Sequence, residues 1–343
     1  MERYLISRLC QFIDLLSRGY TFILLVNHPA AGAALCVALF LLSPWAGAAA
    51  LAGNAAATLV TLAVLKVDPG TVRYGVFGGN GLFVGLAWAP LIAGNVFSLP
   101  FLLAAAALCA LLTYLWQKTM LDRLNMPALI VPFLAVTWLG LPLIRFLGAR
   151  LGQAVLAAPS WWLPAEEAAS RRVPGPFMDM FHGLGYLFYQ DSMLIGLVVF
   201  FCWFVAGWKT ALTAATAGAG VWTALWASGW TAGGDMGRTW IVINGVLAAL
   251  LLGLFLRPSA GATAYSLGGA ALAAWLSSMV VRFGRTDMAT SVVPFVSVVL
   301  AFLSLTGLRH ARDEAGWILR RVPLDEVTVP RGGWCPGRGV RGS

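Results

Sequence analysis

Residues 76–83 read VFGGNGLF, and residues 241–247 read IVINGVL. The two stretches share an Asn-Gly pair, Asn80-Gly81 and Asn244-Gly245, at an offset of 164 residues from 80 to 244. Other residues repeat at or near this offset: Arg18 with His182, Gly32 with Gly196, and Pro132-Phe133 with Pro294-Phe295. The sequence therefore predicts two related halves, an arrangement in which membrane transport proteins commonly place their pathway between the copies.

The composition is typical of a membrane protein. Hydrophobic residues make up 59% of the chain and charged residues 11%, with a mean hydropathy of +0.81, whereas soluble domains carry about 25% charged residues. Apolar runs of about 20 residues, the length that a spanning helix needs, recur along the chain. Because strand-like alternation is absent, only a helical bundle would satisfy the lipid-facing amides. We therefore expect an all-α polytopic membrane protein.

Each half is predicted to hold one broken or re-entrant half-helix followed by five spans. The predicted segments are 18–28, 29–43, 45–65, 72–90, 96–117 and 126–148, then 182–192, 193–207, 209–230, 238–256, 262–281 and 288–308. An odd number of spans inverts the second half relative to the first. The predicted domains are an amphipathic N-terminal segment (1–17), the first repeat (18–148), a connecting loop (149–181), the second repeat (182–308) and a basic cytoplasmic tail (309–343).

The distribution of basic residues predicts the orientation. With the N terminus inside, 16 Lys and Arg residues lie on the inner side and 7 on the outer side, and cytoplasmic loops are enriched in these residues. We therefore expect a multi-pass protein of the inner or plasma membrane with both termini in the cytoplasm. The net charge of +9 comes from single basic residues in loops and in the tail, so we expect no nucleic acid partner.

Polar residues at the predicted helix breaks are candidates for contacts with a solute or for gating. Asn27, His28, His182 and Asp191 lie at or near the two half-helices. Ionisable groups inside a membrane are functional candidates, and histidine titrates near neutral pH. The alternatives are that Asp191 caps a short helix, and that Asn80 and Asn244 satisfy free backbone groups rather than bind a solute. No catalytic set or metal-ligand cluster stands out, so we expect neither an enzyme nor a cofactor.

Three stretches resemble the urea transporter family. Residues 41–45 (LLSPW) are similar to its Ser-Pro junction, residues 78–81 (GGNG) to its Gly-Phe-Asn-Gly segment, and residues 126–133 (MPALIVPF) to its Leu-Pro-x-x-Thr-x-Pro-Phe signature. The resemblance covers about residues 18–308. It implies two inverted five-span repeats, two re-entrant half-helices and a pore through each subunit of a homotrimer. In that pore, urea passes between phenylalanine pairs while its amides bond a ladder of backbone oxygens.

The resemblance also implies which residues line the pore. The candidate lumen residues are Phe22, Leu25, Gly79, Asn80, Phe83, Ile130, Tyr186, Tyr189, Ile243, Asn244, Leu247 and Val292. At several of these positions the family has other residues: glutamine at 22, glutamate at 186, phenylalanine at 79 and 243, and threonine at 130 and 292. Three interpretations stay open. The aromatic slot is rearranged, the pore passes another small neutral solute, or the protein is closed and acts through a partner.

Overall fold

The computed structural model describes residues 2–92, 99–121, 126–140, 176–190, 192–228, 234–255, 260–282 and 293–310. The regular elements within these ranges are helices, which confirms the predicted all-α class. The predicted residues Asp191 and Val292, the loop 149–175 and the tail from residue 311 lie outside the described residues.

Thirteen helices are described, and we number them in chain order. They are α1 (Glu2–Thr21), α2 (Pro29–Leu42), α3 (Pro44–Leu59), α4 (Pro69–Val72), α5 (Val76–Ile92), α6 (Leu99–Trp116), α7 (Val131–Gly140), α8 (Pro176–Tyr186), α9 (Met193–Ala206), α10 (Trp208–Ala227), α11 (Gly234–Phe255), α12 (Ala260–Arg282) and α13 (Val293–His310). Short π-helical segments extend α3 through Val64 and α6 through Leu121.

Local sequence signals explain where several of these helices begin. Pro29 and Pro44 open α2 and α3, at a position where the missing proline N–H has no helical partner to lose. The side chains of the preceding residues, His28 and Ser43, accept hydrogen bonds from Ala31 N and Ala46 N, each over 3.4 Å. Each side chain thereby satisfies one of the N–H groups that a helix N-terminus leaves free.

Both predicted half-helices begin earlier than the sequence suggested. The chain from Glu2 to Thr21 is one continuous helix, so the predicted boundary between residues 17 and 18 falls inside α1. Within this helix Arg18 pairs with Asp14 one turn earlier, a spacing that supports helix by a few tenths of a kcal/mol. In the second half, α8 starts at Pro176 rather than near residue 182, because proline is suited to the first helical position.

Membrane-spanning lengths are found in part of the described chain. Three helical segments there are long and apolar enough to cross a bilayer: Pro44–Val64, Leu99–Leu121 and Thr263–Arg282. A fourth candidate is the pair Ile6–Leu24 and Pro29–Leu42, which is bent by 84° at its break, as in a broken span or a re-entrant loop. Shorter apolar helices are Val76–Ala89, Val131–Gly140, Met193–Ala206 and Gly237–Gly253. The count of five spans in each half stays a prediction.

The two halves contact each other through α2 and α9. The indole N–H of Trp203, on α9, donates to the backbone oxygen of Leu24 over 2.9 Å, and both residues are fully buried. The thiol of Cys202 lies 3.7 Å from the oxygen of Ala31. These contacts fix the end of the first half-helix against the second half of the chain.

Candidate functional site

The chain turns in the same way at the end of each half-helix. Leu25 and Tyr189, which are 164 residues apart, both have left-handed backbones, with φ of 59° and 56°. Leu25 N donates to Phe22 O over 3.0 Å, and Tyr189 N donates to Tyr186 O over 2.9 Å. A left-handed conformation at a residue other than glycine costs about 1–3 kcal/mol and persists only where the surroundings impose it. The repeat at offset 164 is thus visible as matched backbone geometry.

The returning chain also packs on each half-helix in the same way. A Cβ atom added to Gly32 would collide with the backbone oxygen of Ser17, and one added to Gly196 would collide with the backbone oxygen of Phe181. Both glycines and both oxygens are related by the offset of 164 residues. Only glycine permits this close backbone approach. The match between Gly32 and Gly196 therefore reflects one packing requirement that occurs twice.

Asn80 bonds the turn before α7 and the first turn of α7, and Asn244 bonds the first turn of α13. The Asn80 amide donates to Val76 O over 2.9 Å and to Leu129 O over 2.8 Å, and its oxygen accepts from Phe133 N over 3.2 Å. Phe133 lies in the first turn of α7, where backbone N–H groups lack helical partners. Asn80 is fully buried, so its hydrogen-bonding groups are occupied by the backbone rather than left open to a solute.

The second asparagine makes the equivalent contacts. The oxygen of Asn244 accepts from Phe295 N, in the first turn of α13, over the same distance of 3.2 Å. Its amide nitrogen donates to Trp240 O over 2.8 Å and to the Ser277 hydroxyl over 3.1 Å. Both asparagines therefore act as the backbone-satisfying groups that the sequence left as the alternative to solute contact.

An aromatic ring of the first half-helix occupies the space beside Gly79. A Cβ atom at Gly79 would lie 2.5 Å from Cδ1 and 2.7 Å from Cβ of Phe22. The Phe22 ring therefore fills the space that a side chain at position 79 would occupy. The two departures from the family pattern, at 22 and 79, compensate for each other in space, because an aromatic side chain at 79 would need the volume that Phe22 fills.

The equivalent contact in the second half has a different composition. A Cβ atom at Gly183 would lie 3.1 Å from Cβ of Ile243, so α8 and α11 approach closely here. Tyr186, the counterpart of Phe22, stacks on Trp240 with ring centroids 6.1 Å apart and planes at 28°. Each half-helix thus places an aromatic ring, Phe22 or Tyr186, against the helix that carries the Asn-Gly pair of its own half.

Three further aromatic rings fill the centre between the halves. Phe83 lies 5.6 Å from Phe133 and 5.8 Å from Phe188, measured between ring centroids. All three side chains are buried. Phe83 and Phe133 come from the first half and Phe188 follows the second half-helix, so the cluster joins the halves. Phe133 and Phe188 are not among the candidate lumen residues; the Pro-Phe repeat at Pro132-Phe133 and Pro294-Phe295 was a usable signal for Phe133, and the sequence offered none for Phe188.

Charged residues on both half-helices form ion pairs with neighbouring segments of the chain. Arg18 is 3% exposed and donates to Asp14 from Nε over 2.9 Å, and from one terminal nitrogen to Asn27 Oδ1 over 2.6 Å. Asp14 also pairs with Arg73 over 3.1 Å. This network ties the start of the break, at Asn27, back to α1. The spacing of Asp14 and Arg18, one helical turn apart, was a sequence signal for it.

A related ion pair lies on the second half-helix. The buried carboxylate of Asp179 accepts from Trp222 Nε1 over 2.9 Å and pairs with Arg238 over 3.7 Å. The pairs Asp14 with Arg73 and Asp179 with Arg238 are related by an offset of 165 residues. Asp179 is thus an acidic residue of the second half-helix that the sequence analysis did not single out, because α8 begins before it, at Pro176.

The structure places the other predicted residues as follows. Ile130, Ile243 and Leu247 are buried, and Phe22, Leu25 and Tyr189 are partly exposed and pack against the central core. His28 caps α2. His182 is partly buried within α8. Within the described residues, no group of three or more His, Cys, Asp or Glu side chains could hold a metal ion.

The structure has apolar helices of bilayer length, a helix pair bent by 84°, and similar left-handed turns after both half-helices. These features are typical of a polytopic membrane transport protein. A family model described as urea transporter matches residues 13–307. The chain therefore belongs to the urea transporter family, which is a family of transporters and not of enzymes.

Proposed function

We propose that the protein is a passive, channel-like transporter for urea or a similarly small neutral amide. The observation that carries the proposal is the fit of Phe22 against Gly79, with Tyr186 at the equivalent place of the second half. Flat aromatic rings beside broken helices suit a planar solute, because the rings contact its faces while free backbone oxygens replace the water around its N–H groups. The rearranged aromatic slot is therefore the interpretation that we favour.

The state of the buried charges supports passive transport. Among the described residues, the buried charged side chains are Arg18 and Asp179, and each is engaged in an ion pair. A transporter coupled to protons or sodium would be expected to keep a charged or polar group for the ion near the middle of the membrane. Charges that hold helix ends together do not meet this requirement.

The remaining features of the proposal are supported by the charge distribution and by the resemblance to the family. Both termini lie in the cytoplasm, the two five-span halves are inverted, and three copies form the assembly. The predicted domain boundaries are retained except at the starts of the half-helices. The exposed apolar stripe of α1, formed by Ile6, Leu9 and Ile13, supports contact with the lipid bilayer, since its spacing keeps these residues on one helix face.

A liposome assay tests the proposal. Purified protein reconstituted in liposomes should accelerate urea equilibration in a stopped-flow shrinkage measurement, at a rate that a proton or sodium gradient does not change. Flux equal to that of empty liposomes for urea, with raised flux for another small solute, would contradict urea as the substrate while preserving the channel. Accumulation that depends on a gradient would contradict the passive mechanism, and no flux for any solute would indicate a closed protein.

A further inference from the structure

Trp240 carries a buried hydrogen-bond donor for which the described part of the chain offers no acceptor. Its side chain is 2% exposed, and its Nε1 has no hydrogen-bond partner among the described residues. Four other indoles in the described ranges donate to protein oxygens: Trp45 to Ala89, Trp116 to Met126, Trp203 to Leu24 and Trp222 to Asp179. The Nε1 of Trp88 is, like that of Trp240, buried and without a partner among the described residues. Because buried donors are nearly always paired, an orphaned indole N–H requires an explanation.

The position of Trp240 suggests what pairs with it. It lies one helical turn before Asn244 and shares a face of α11 with the candidate lumen residues Ile243 and Leu247. Its ring stacks on Tyr186, at the end of the second half-helix. The unpaired donor is therefore located at the seam between the half-helix and α11, where the proposed pathway runs.

A neutral amide needs a donor as well as acceptors. Its N–H groups can bond backbone oxygens, but its carbonyl oxygen requires an N–H or O–H from the protein once water has been removed. The amide nitrogens of Asn80 and Asn244 already donate to Leu129 O and to the Ser277 hydroxyl. Trp240 Nε1, in contrast, has its donor available.

We propose that the Trp240 indole N–H donates to the carbonyl oxygen of the permeating solute and so makes the pathway selective for carbonyl compounds. This inference rests on the proposed function. It adds Trp240 to the residues that determine specificity, with Tyr186 holding the indole in place by stacking. The contact is a single neutral hydrogen bond, which is weak enough for the solute to leave, as conduction requires.

The experiment compares urea with thiourea, which has a similar shape but a weaker sulfur acceptor. Liposomes containing the native protein should pass urea faster than thiourea. Trp240→Phe keeps an aromatic ring against Tyr186 and removes only the donor, so the urea-to-thiourea flux ratio should fall about threefold to tenfold, as for loss of one hydrogen bond. Trp45→Phe is the matched control, because its N–H already bonds Ala89, and it should leave the ratio unchanged.

The remaining outcomes separate this inference from the proposed function. Native protein that passes urea no faster than empty liposomes overturns both. Urea flux in the native protein with an unchanged ratio in Trp240→Phe overturns only the role of Trp240. If Trp240→Phe does not fold, two measurements still decide. Native protein that passes thiourea as fast as urea contradicts the inference, and Trp240→His, which retains a ring N–H, should preserve part of the native ratio.

Discussion

Replacing Gly79 with alanine tests whether Phe22 and Gly79 form one interlocked unit. The added Cβ would lie 2.5 Å from Cδ1, 2.7 Å from Cβ and 2.9 Å from Cγ of Phe22. Carbon atoms in favourable contact are about 3.5–4.0 Å apart, so the ring would have to move by about 1 Å. Two of the close atoms belong to the base of the side chain, so rotation of the ring alone does not relieve the contact.

The size of the effect follows from two opposing terms. Overpacking of this kind costs about 1–3 kcal/mol, whereas glycine to alanine inside a helix stabilises by about 0.5–1 kcal/mol. Gly220→Ala isolates the second term, because Gly220 lies within α10 and an added Cβ would meet nothing within 4 Å. We therefore expect Gly79→Ala to be less stable than Gly220→Ala by about 1–3 kcal/mol.

The assay is thermal unfolding of detergent-purified protein at one scan rate, together with urea flux in liposomes. The double variant Phe22→Ala, Gly79→Ala should recover stability relative to the sum of the single changes, because the clash requires both side chains. Urea flux should change in the single Gly79→Ala variant and not in Gly220→Ala. Equal stability of Gly79→Ala and Gly220→Ala, or additive effects in the double variant, would refute the interlock.

Three further outcomes are expected. Asn80→Ala should lower stability by about 1–3 kcal/mol, because Phe133 N loses its acceptor in a buried site, and Asn80→Asp, which keeps an oxygen for Phe133, should unfold at an intermediate temperature. Gly32→Ala and Gly196→Ala should each abolish folded protein on size-exclusion chromatography, since an added Cβ would meet a backbone oxygen; a normal elution profile for either would contradict the close approach. Arg18→Met should cost about 1.5–3 kcal/mol in thermal unfolding, because Asn27 loses a charged donor while Asp14 keeps its ion pair with Arg73, and Arg18→Lys should be less affected.

The breaks in the half-helices could be predicted from local sequence, whereas their contacts with other helices could not. The breaks near Asn27 to Pro29 could be predicted because proline and glycine act on the chain locally. Local signals for the courses of α1 and α8 were also present, namely the i,i+4 spacing of Asp14 and Arg18 and the proline at 176. The contact of Arg18 with Asn27 could not be predicted, because it depends on how the chain turns beyond the break. The pairing of Asp179 with Arg238 required the approach of α8 to α11, which no local pattern reports.

The sequence by itself determined the class and the family of the protein and predicted its duplication, because apolar composition, the positions of proline and glycine, and the Asn-Gly repeat can be read directly along the chain. Only the tertiary structure decided what the substituted positions mean. Phe22 and Gly79 are 57 residues apart in sequence, from 22 to 79, and their departures from the family pattern compensate because packing of α1 on α5 brings them into one volume. Tertiary packing elsewhere decides that Asn80 bonds Leu129 O and that the Trp240 N–H has no partner among the described residues, since hydrogen-bond partners depend on which helices are adjacent.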